Sequence, residues 1–344
     1  MPFLSLDSFA APLQWAAFDA ANNPSGQIVL TVSADGHPQA ATADAMRLAI
    51  GSGAGGHVVR RTIPATDLST FSDLTLWAQA DSSAGQNPNA EFRLRLALGS
   101  AALPIGDPGN TWHRYLVLPR AGSWNYLQFE LDDLPPGVRS ALTTIELSVA
   151  AIGAAHELRL DGLEIQTRAM VADAEAALLA TFDGQFTLGG NLVPAVIAPD
   201  LAANPAQAHL KLESTRSVRN GQRALGSGSR SDYTDDSYRL RGTPEPWDLY
   251  YAIEAAGAPA ADLAQLRDFV IGQVYPNGWL RLGNRAWRFD PVDRTLVDPE
   301  AAEIDDRLYL RIAGWADAGS ATTVRPANDV TLEVRPKTVL VGGA

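Results

Sequence analysis

The chain has 344 residues, no cysteine, and a formal net charge of −12 at pH 7 with an isoelectric point near 4.8. This charge argues against sequence-blind nucleic-acid binding, and we expect DNA contact only if the protein lines a channel through which DNA passes. Without cysteine there is no disulfide, thiol nucleophile or thiolate metal site. We expect no membrane segment and no secretory leader, because no apolar run approaches the roughly 20 residues of a span and the start of the chain lacks a basic leader.

The first half of the chain consists of short alternating segments separated by Gly, Pro, Ser, Asn and Asp. The alternation is clear where Leu94, Leu96 and Leu98 share one face and Arg93 and Arg95 share the other. Roughly ten strands at this spacing, without a long helix, are typical of an antiparallel sandwich. We therefore predict an all-β first domain over residues 1–168.

Three segments of this half carry a family resemblance: DLSTFSDLTLWAQAD, SWNYLQFELDDLP and IELSVAAIGAAHELRLDGLEIQ. They resemble the galactose-binding-like jelly roll of many carbohydrate-binding modules, in which a late Trp strand packs the core and the last strand reads like LDGLEI. The resemblance implies the jelly-roll fold, and a fold alone does not imply sugar binding.

Sugar binding requires exposed aromatic rings, on which pyranose faces stack. The candidates are Trp15, Trp77, Trp112, Tyr115, Trp124 and Tyr126. We predict that Trp77 and Trp124 are core residues, because Trp is generally buried. Trp112 follows a GDPGN turn and is the ring for which exposure is expected. Trp112 and Tyr115 are therefore the predicted carbohydrate-binding residues.

The modules that the first half resembles often hold a structural calcium ion between carboxylates at a sheet edge. Asp7 and Asp161 are the oxygen ligands that this resemblance implies. The alternative is that both are solvated or turn-capping aspartates. No other cofactor is expected.

The first half offers no catalytic constellation. The Gly51–Gly56 segment matches a bare G-x-G-x-x-G pattern, but a strand and not a helix follows it, so the nucleotide-binding interpretation fails. His57, His113 and His156 are isolated, without metal-ligand spacing. The adjacent aspartate pairs of the chain point apart in a strand or turn. We expect that the protein is not an enzyme.

From residue 169 onwards the pattern changes to that of an α+β domain, which we place at residues 169–344. A helical face recurs between residues 167 and 183, and a second helix is predicted around Leu266 and Val270. Between the two helices, Leu249 and Tyr251 lie in a strand of alternating pattern, and Gly283-Asn284 predicts a hairpin turn. Helices on a mixed or antiparallel sheet follow from this order.

An arginine-rich segment, residues 216–241, interrupts the second domain. It is low in aliphatic residues, and its length without periodicity predicts a functional or partner-ordered loop or a long hairpin tip. Phosphate or DNA contact, insertion into a neighbouring subunit and a solvated loop all remain open. The predicted subunit-interface residues are Trp247, Tyr250, Arg216, Arg219, Arg223 and Arg230.

The segment PEPWDLYYAIEA and the helix after it are similar to phage tail-terminator proteins and to the related cap proteins of contractile injection systems. The matching positions are Pro246, Asp248, Leu249, Tyr251 and Pro276. The resemblance spans about residues 170–318 and implies a homo-oligomeric ring, a hexamer in that family. Such proteins are usually smaller and lack an N-terminal jelly roll, which leaves the position within the particle open.

The sequence leaves three functions open. The first is a structural virion protein, assembled in the host cytoplasm as a ring at the tail, neck or baseplate together with other virion proteins. The second is a carbohydrate-binding protein for glycan or host-surface adhesion, and weak glycan binding is compatible with the first. The third is a glycosidase, for which no acid–base pair or nucleophile can be named.

Overall fold

The computed structural model describes residues 3–38, 42–85, 90–198, 204, 206–220, 229–231, 233–235, 237–241, 245–274, 278–294, 297, 307–316 and 322–324. Pro276, one of the positions of the family resemblance, therefore lies outside the described residues. Within these ranges, no helix combines the length and apolar character that crossing a bilayer requires.

The first domain is a jelly-roll sandwich, as predicted. Its elements are β1 (Phe3–Asp7), β2 (Ala16–Phe18), β3 (Ile28–Ser33), β4 (Ala45–Ile50), β5 (Val58–Thr66), β6 (Asp73–Ala80), β7 (Phe92–Gly99), β8 (His113–Tyr115), β9 (Asn125–Glu130), α1 (Pro136–Arg139), β10 (Leu142–Ile152) and β11 (His156–Gln166). One sheet, which we call the docking sheet, has the order β3-β4-β11-β6-β9, with β1 also paired to β11. The opposite sheet has the order β2-β5-β10-β7-β8.

The core of the jelly roll lies between the two sheets, because each strand turns every second side chain inward. On β7, Leu94, Leu96 and Leu98 are buried against the other sheet, whereas Arg93 and Arg95 lie on the outer face. This confirms the alternation predicted for that strand. The inward side chains form one continuous hydrophobic cluster, and its burial supplies the main driving force for folding.

The second domain is an α+β unit, also as predicted. Its elements are α2 (Met170–Phe182), β12 (Thr187–Leu188), β13 (Asn191–Leu192), β14 (Ala195–Ile197), β15 (His209–Arg219), β16 (Ser229–Ser231), β17 (Tyr238–Arg241), β18 (Glu245–Ala256), α3 (Ala260–Val274), β19 (Trp279–Leu282), β20 (Arg285–Pro291), β21 (Leu308–Ala316) and β22 (Thr322–Val324). The main sheet has the order β14-β15-β18-β21-β20-β19, and β16, β17 and β22 form a separate small sheet.

Both long helices contribute to one hydrophobic core with the main sheet. Leu249, Tyr251 and Ile253 of β18 are buried in the cluster to which Leu178 of α2 and Leu266 of α3 belong. The period of two along β18 and the helical spacing along α3 are therefore both confirmed. The hairpin is confirmed as well, since β19 and β20 pair antiparallel around the Gly283-Asn284 turn.

Candidate functional site

The turn of the β19–β20 hairpin docks on the docking sheet of the jelly roll. The backbone N–H of Asn284 donates to Oε2 of Glu164 (2.7 Å). The Asn284 side-chain amide donates to the carbonyl of Gly162 and to Oγ1 of Thr75 (3.3 Å). Asn284 is only 3% exposed, so the turn is an integral part of the junction between the domains.

Two glycines allow this close approach. Gly283 has φ +55°, a region that disfavours side chains, and a Cβ there would collide with the Glu164 carboxylate and lie 2.9 Å from the Phe3 ring. Gly162 also has φ +55°, and a Cβ there would lie 2.6 Å from Oδ1 of Asn284. Gly283 serves both its own turn and the contact with the other domain, whereas Gly162 lies within β11 at a shift in the pairing register with β6.

Buried ion pairs surround the docked turn. Arg168, in the linker before α2, makes a two-pronged contact with Asp73 (2.8 Å for both hydrogen bonds) and lies 3.2 Å from Glu130. Arg239 of β17 pairs with the same Glu130. The hydrogen bonds to Asp73, with the charges of the nearby carboxylates, raise the pKa of Arg168 above its usual range. Charge pairing thus joins β6 and β9 to the linker and to the arginine-rich segment.

Three carboxyl groups at this junction are perturbed by burial. Desolvation raises the pKa of Glu164 and of Asp173, although Asp173 also pairs with Arg285. Desolvation raises the pKa of Asp161 to about 6, with backbone hydrogen bonds from His37 and Gly162 working in the opposite direction. The junction therefore contains acids whose ionised form is disfavoured.

A cleft of about 380 Å³ opens beside the docked turn, with walls from both domains. Its lining consists of Trp77, Tyr126 and Gln128 from the jelly roll, and Arg168, Met170, Trp279, Asn284, Arg285, Ala286 and Trp287 from the linker, α2 and the hairpin. This volume falls within the range of ligand pockets, roughly 300–1,000 Å³. The cleft is our candidate functional site.

Aromatic rings dominate the jelly-roll wall of the cleft. The His37 ring stacks on Trp77 with centroids 3.6 Å apart and planes at 10°, and Tyr126 lies 5.0 Å from Trp77 on centroids. Burial, together with the charge of Arg281, lowers the pKa of His37, which favours a neutral ring in this stack. Trp124 meets the edge of His37 at 5.7 Å.

Two rings at the cleft keep accessible surface. Trp279 on β19 is 51% exposed, and Tyr126 on β9 is 37% exposed. Burial of the Tyr126 hydroxyl end raises its pKa to about 12, so the exposed part is the ring. The cleft can therefore offer aromatic faces to a ligand.

The expectation that Trp112 is exposed is wrong. Trp112 is 4% exposed, its indole N–H donates to Oδ1 of Asp133 (3.1 Å), and the Arg114 guanidinium lies 4.8 Å from its ring centroid. Tyr115 is 2% exposed and donates its hydroxyl hydrogen to Asp235. Neither of the predicted carbohydrate-binding residues presents a free ring face.

The prediction that Trp77 and Trp124 are core residues is also wrong, since both are half-buried and lie outside the hydrophobic core. On β6, the inward positions are Leu74, Leu76 and Ala78, and Trp77 falls on the outer face with Thr75. The period of two was sufficient to place Trp77 outside. At this position the alternation along the strand is a better indicator than the general tendency of Trp to be buried.

The two predicted calcium ligands are engaged by protein groups. Asp7 accepts from the Phe9 backbone N–H (2.6 Å) and the Trp15 indole N–H (2.5 Å), and it pairs with Arg61. Asp161 is fully buried and accepts from the His37 backbone N–H (2.7 Å). Within the described part of the chain, no group of three or more His, Asp or Glu side chains is arranged to hold a metal ion.

The predicted interface residues fall in different environments. Arg216 and Arg219 lie on the exposed part of β15, and Arg219 pairs with Glu245 (3.0 Å). Trp247 and Tyr250 on β18 are half-buried, and Tyr250 packs against a small cluster around Val297. Arg223 lies outside the described residues. Arg230 belongs to β16, and its side chain also lies outside the described part.

The arginine-rich segment contacts the opposite sheet of the jelly roll. The Tyr115 backbone N–H donates to the Tyr233 carbonyl (2.9 Å), which extends the pairing beyond the edge strand β8. The Asp235 carboxylate accepts from Tyr115 and lies 3.4 Å from Nε2 of His113 and 3.7 Å from Arg95. This part of the segment is thus a second connection between the domains.

Among the described residues of the second domain, the outer side of β15 is an open edge from Ser214 to Arg219. β14 pairs with it only from Leu210 to Leu212, while β18 pairs with its other side up to Arg219. From Ser214 to Arg219 no strand of the described residues pairs with the outer side, and most of these side chains are exposed. The sequence identifies the arginines of this stretch as interface residues, but it does not predict that the strand edge is open.

No family model and no curated protein sequence matches the chain. Among solved structures, the family 11 carbohydrate-binding module from Clostridium thermocellum, in complex with a β-1,3-1,4-mixed-linked tetrasaccharide, is similar at 16% identity and a TM-score of 0.32. The match covers 48% of this chain and 95% of that chain. A family 30 carbohydrate-binding module is similar at 12% identity and a TM-score of 0.31, over 44% of this chain and 81% of that one.

The sheath/tube terminator of an extracellular contractile injection system (PVC), in its extended state, is also similar. It shares 15% identity at a TM-score of 0.37, over 50% of this chain and 65% of that chain. The neighbours thus include both classes of protein that the sequence resembles, at low scores and over about half of the chain.

Proposed function

We propose that the protein is a non-enzymatic structural subunit of a tailed phage or a related contractile particle, assembled in the host cytoplasm. It forms a homo-oligomeric ring, a hexamer, at the tail, neck or baseplate and contacts other particle proteins there. The second domain builds the ring, and the jelly roll decorates it.

The observation that carries this proposal is the open edge of β15. An unpaired edge exposes a row of backbone N–H and C=O groups, and native proteins normally cover such a row or pair it. From Ser214 to Arg219 the edge is long enough to accept a strand of a neighbouring subunit, which would satisfy those groups. Arg216 and Arg219 are exposed on the same stretch, so substituting them alters the edge without disturbing the core.

Rigid attachment of the jelly roll also supports the proposal. The Asn284 turn and the Arg239 contact with Glu130 hold the two domains together at separate points, and the Arg168 contact with Asp73 fixes the linker between them. A particle protein needs its decorating domain in a fixed orientation in every copy. Several buried contacts achieve this better than a flexible linker does.

Native mass spectrometry and electron cryomicroscopy of the full chain, alone and with purified tails, test this proposal. We expect rings, and we expect Arg216→Glu combined with Arg219→Glu to convert them to monomers. Arg288→Glu is the matched control, because Arg288 is also an exposed strand arginine with one carboxylate partner, Asp290. Monomers of the natural protein under all conditions would contradict the proposal.

Glycan or host-surface adhesion is a second candidate function, compatible with the first. The cleft favours it, because Trp279 and Tyr126 offer exposed ring faces there. A glycan array of the full chain tests it. Binding to at least one saccharide class is expected, and an array without any signal would remove this candidate.

A further inference from the structure

We infer that the cleft between the domains is a composite binding site for an uncharged oligosaccharide, held by rings of both domains. This rests on the second candidate function, glycan adhesion, and assigns it to a site that the jelly roll alone does not form.

The aromatic rings stand on opposite walls. Trp77 and Tyr126 belong to the docking sheet, whereas Trp279 and Trp287 belong to the β19–β20 hairpin. Pyranose rings expose flat faces of C–H groups that pack on aromatic faces, whose quadrupole is negative above the ring. A saccharide in the cleft can therefore contact a ring from each domain.

The polar lining suits hydroxyl groups. Gln128 brings a side-chain amide to the cleft, and an amide both donates and accepts hydrogen bonds. The indole N–H of Trp77 is buried and has no hydrogen-bond partner among the described residues. Because an unsatisfied donor is costly, a small shift of the Trp77 ring that lets a ligand hydroxyl accept from this N–H would favour binding.

The charges at the cleft favour a neutral ligand. Its two guanidinium groups are already balanced, since Arg168 faces Asp73 and Glu130, and Arg285 pairs with Asp173. A sugar carboxylate would find no surplus positive charge there. The net charge of −12 would in addition repel an acidic polysaccharide.

The site exists only while the hairpin is docked, because its two walls come from different domains. Ligand binding and docking are then thermodynamically linked, and each stabilises the other. A change that undocks the hairpin should weaken binding even where no residue of the cleft lining is altered.

Calorimetric titration of the full chain tests the inference with cellotetraose, laminaritetraose and maltotetraose as neutral probes and tetragalacturonate as the acidic probe. Trp279→Ala should weaken binding of the neutral ligand at least tenfold. Its control is Leu192→Ala, which removes another exposed apolar side chain, 62% exposed and away from the cleft. Circular dichroism verifies that each variant is folded.

Gly283→Ala tests the composite nature of the site, because Gly283 is not part of the lining and its substitution pushes the turn away from Glu164. We expect at least a tenfold loss. Gly56→Ala is the matched control: it also places a side chain at positive φ, +81°, but the nearest atom is 3.8 Å away. Where Gly283→Ala does not fold, Glu164→Gln, which weakens the acceptor of the Asn284 N–H, replaces it.

The outcomes distinguish failure of the glycan-binding function from failure of the composite site. A glycan array without any signal removes the glycan-binding function, whereas array binding without a titration signal for any neutral probe overturns only the inference about the cleft. Binding that is unchanged by Trp279→Ala overturns the location, and binding unchanged by the undocking variant overturns the composite site. Tighter binding of tetragalacturonate than of every neutral probe overturns the ligand class.

Discussion

Burial raises the pKa values of several carboxyl groups at the domain junction, and Asp161 is the clearest case. Its side chain is fully buried and accepts from the His37 backbone N–H (2.7 Å). An ionised carboxylate in this environment is poorly solvated, which is why its pKa rises to about 6.

We predict that Asp161 makes stability fall as pH rises. Its folded pKa, about 6, lies above the ordinary value of 3.8, so its contribution is fully present below pH 3.8 and is lost as pH rises through about 6. The full loss is on the order of 3 kcal/mol, from about 1.4 kcal/mol per pKa unit. Asp161→Asn should therefore gain stability relative to the natural chain at pH 7.5 and about half as much at pH 5, measured by urea unfolding.

The control for this measurement is Asp35→Asn, whose side chain is 73% exposed and pairs with Arg159 on the surface. It should change stability little at either pH. An Asp161→Asn effect of equal size at pH 5 and pH 7.5 would show that ionisation of Asp161 is not the cause.

Substitution of Trp112 should reduce stability, whereas substitution of Trp279 should mainly reduce ligand binding. Trp112 is buried and hydrogen-bonded, so Trp112→Ala should lower the free energy of unfolding by about 3–5 kcal/mol. Trp279→Ala should lower it by about 0.5 kcal/mol, the usual scale of a surface substitution. Denaturant unfolding measures both, and equal losses would contradict the placement of the two rings.

At the scale of elements, the local sequence patterns predicted the strands, helices and turn that they encode. The period of two identified β7 and β18, helical spacing identified α2 and α3, and Gly283-Asn284 identified the β19–β20 turn. The docking of that turn joins residues 120 positions apart, and no periodicity encodes such a contact. The cleft depends on this docking. The sequence therefore identified several of the aromatic residues that line the cleft, but it did not predict that they lie close together.

Asn284→Asp should detach the hairpin from the jelly roll. The new carboxylate would face the Gly162 carbonyl, which now accepts from the Asn284 side-chain amide, and it would share a buried site with Glu164, which accepts from the backbone N–H of the same residue, so both oxygen groups would repel it. Hydrogen exchange of β19 and β20 should rise, and small-angle scattering should show a larger particle at pH 7.5. Low pH should partly restore docking, because protonation removes the repulsion.

Asn191→Asp is the control for that variant, since Asn191 lies exposed in the β12–β13 hairpin of the same domain. It should leave exchange and dimensions unchanged. Unaltered exchange in Asn284→Asp would mean that the turn does not hold the domains together.

At the scale of the molecule, the junction should make the two domains unfold together. Buried ion pairs and the docked turn join two separate hydrophobic cores, so we expect one calorimetric transition for the natural chain. Gly283→Ala should divide it into two, whereas Gly56→Ala should keep one. Two transitions in the natural chain would show that the cores are energetically independent.

The docked turn also has a consequence for synthesis on the ribosome. Asn284 is translated 120 residues after Glu164, a delay on the order of ten seconds at about 5–20 residues per second. During this interval the nascent jelly roll presents Glu164 to water on the face that the hairpin later covers. A carboxylate on an uncovered sheet face disfavours association with other nascent chains, so the group that finally holds the docked turn first opposes aggregation of an unfinished protein.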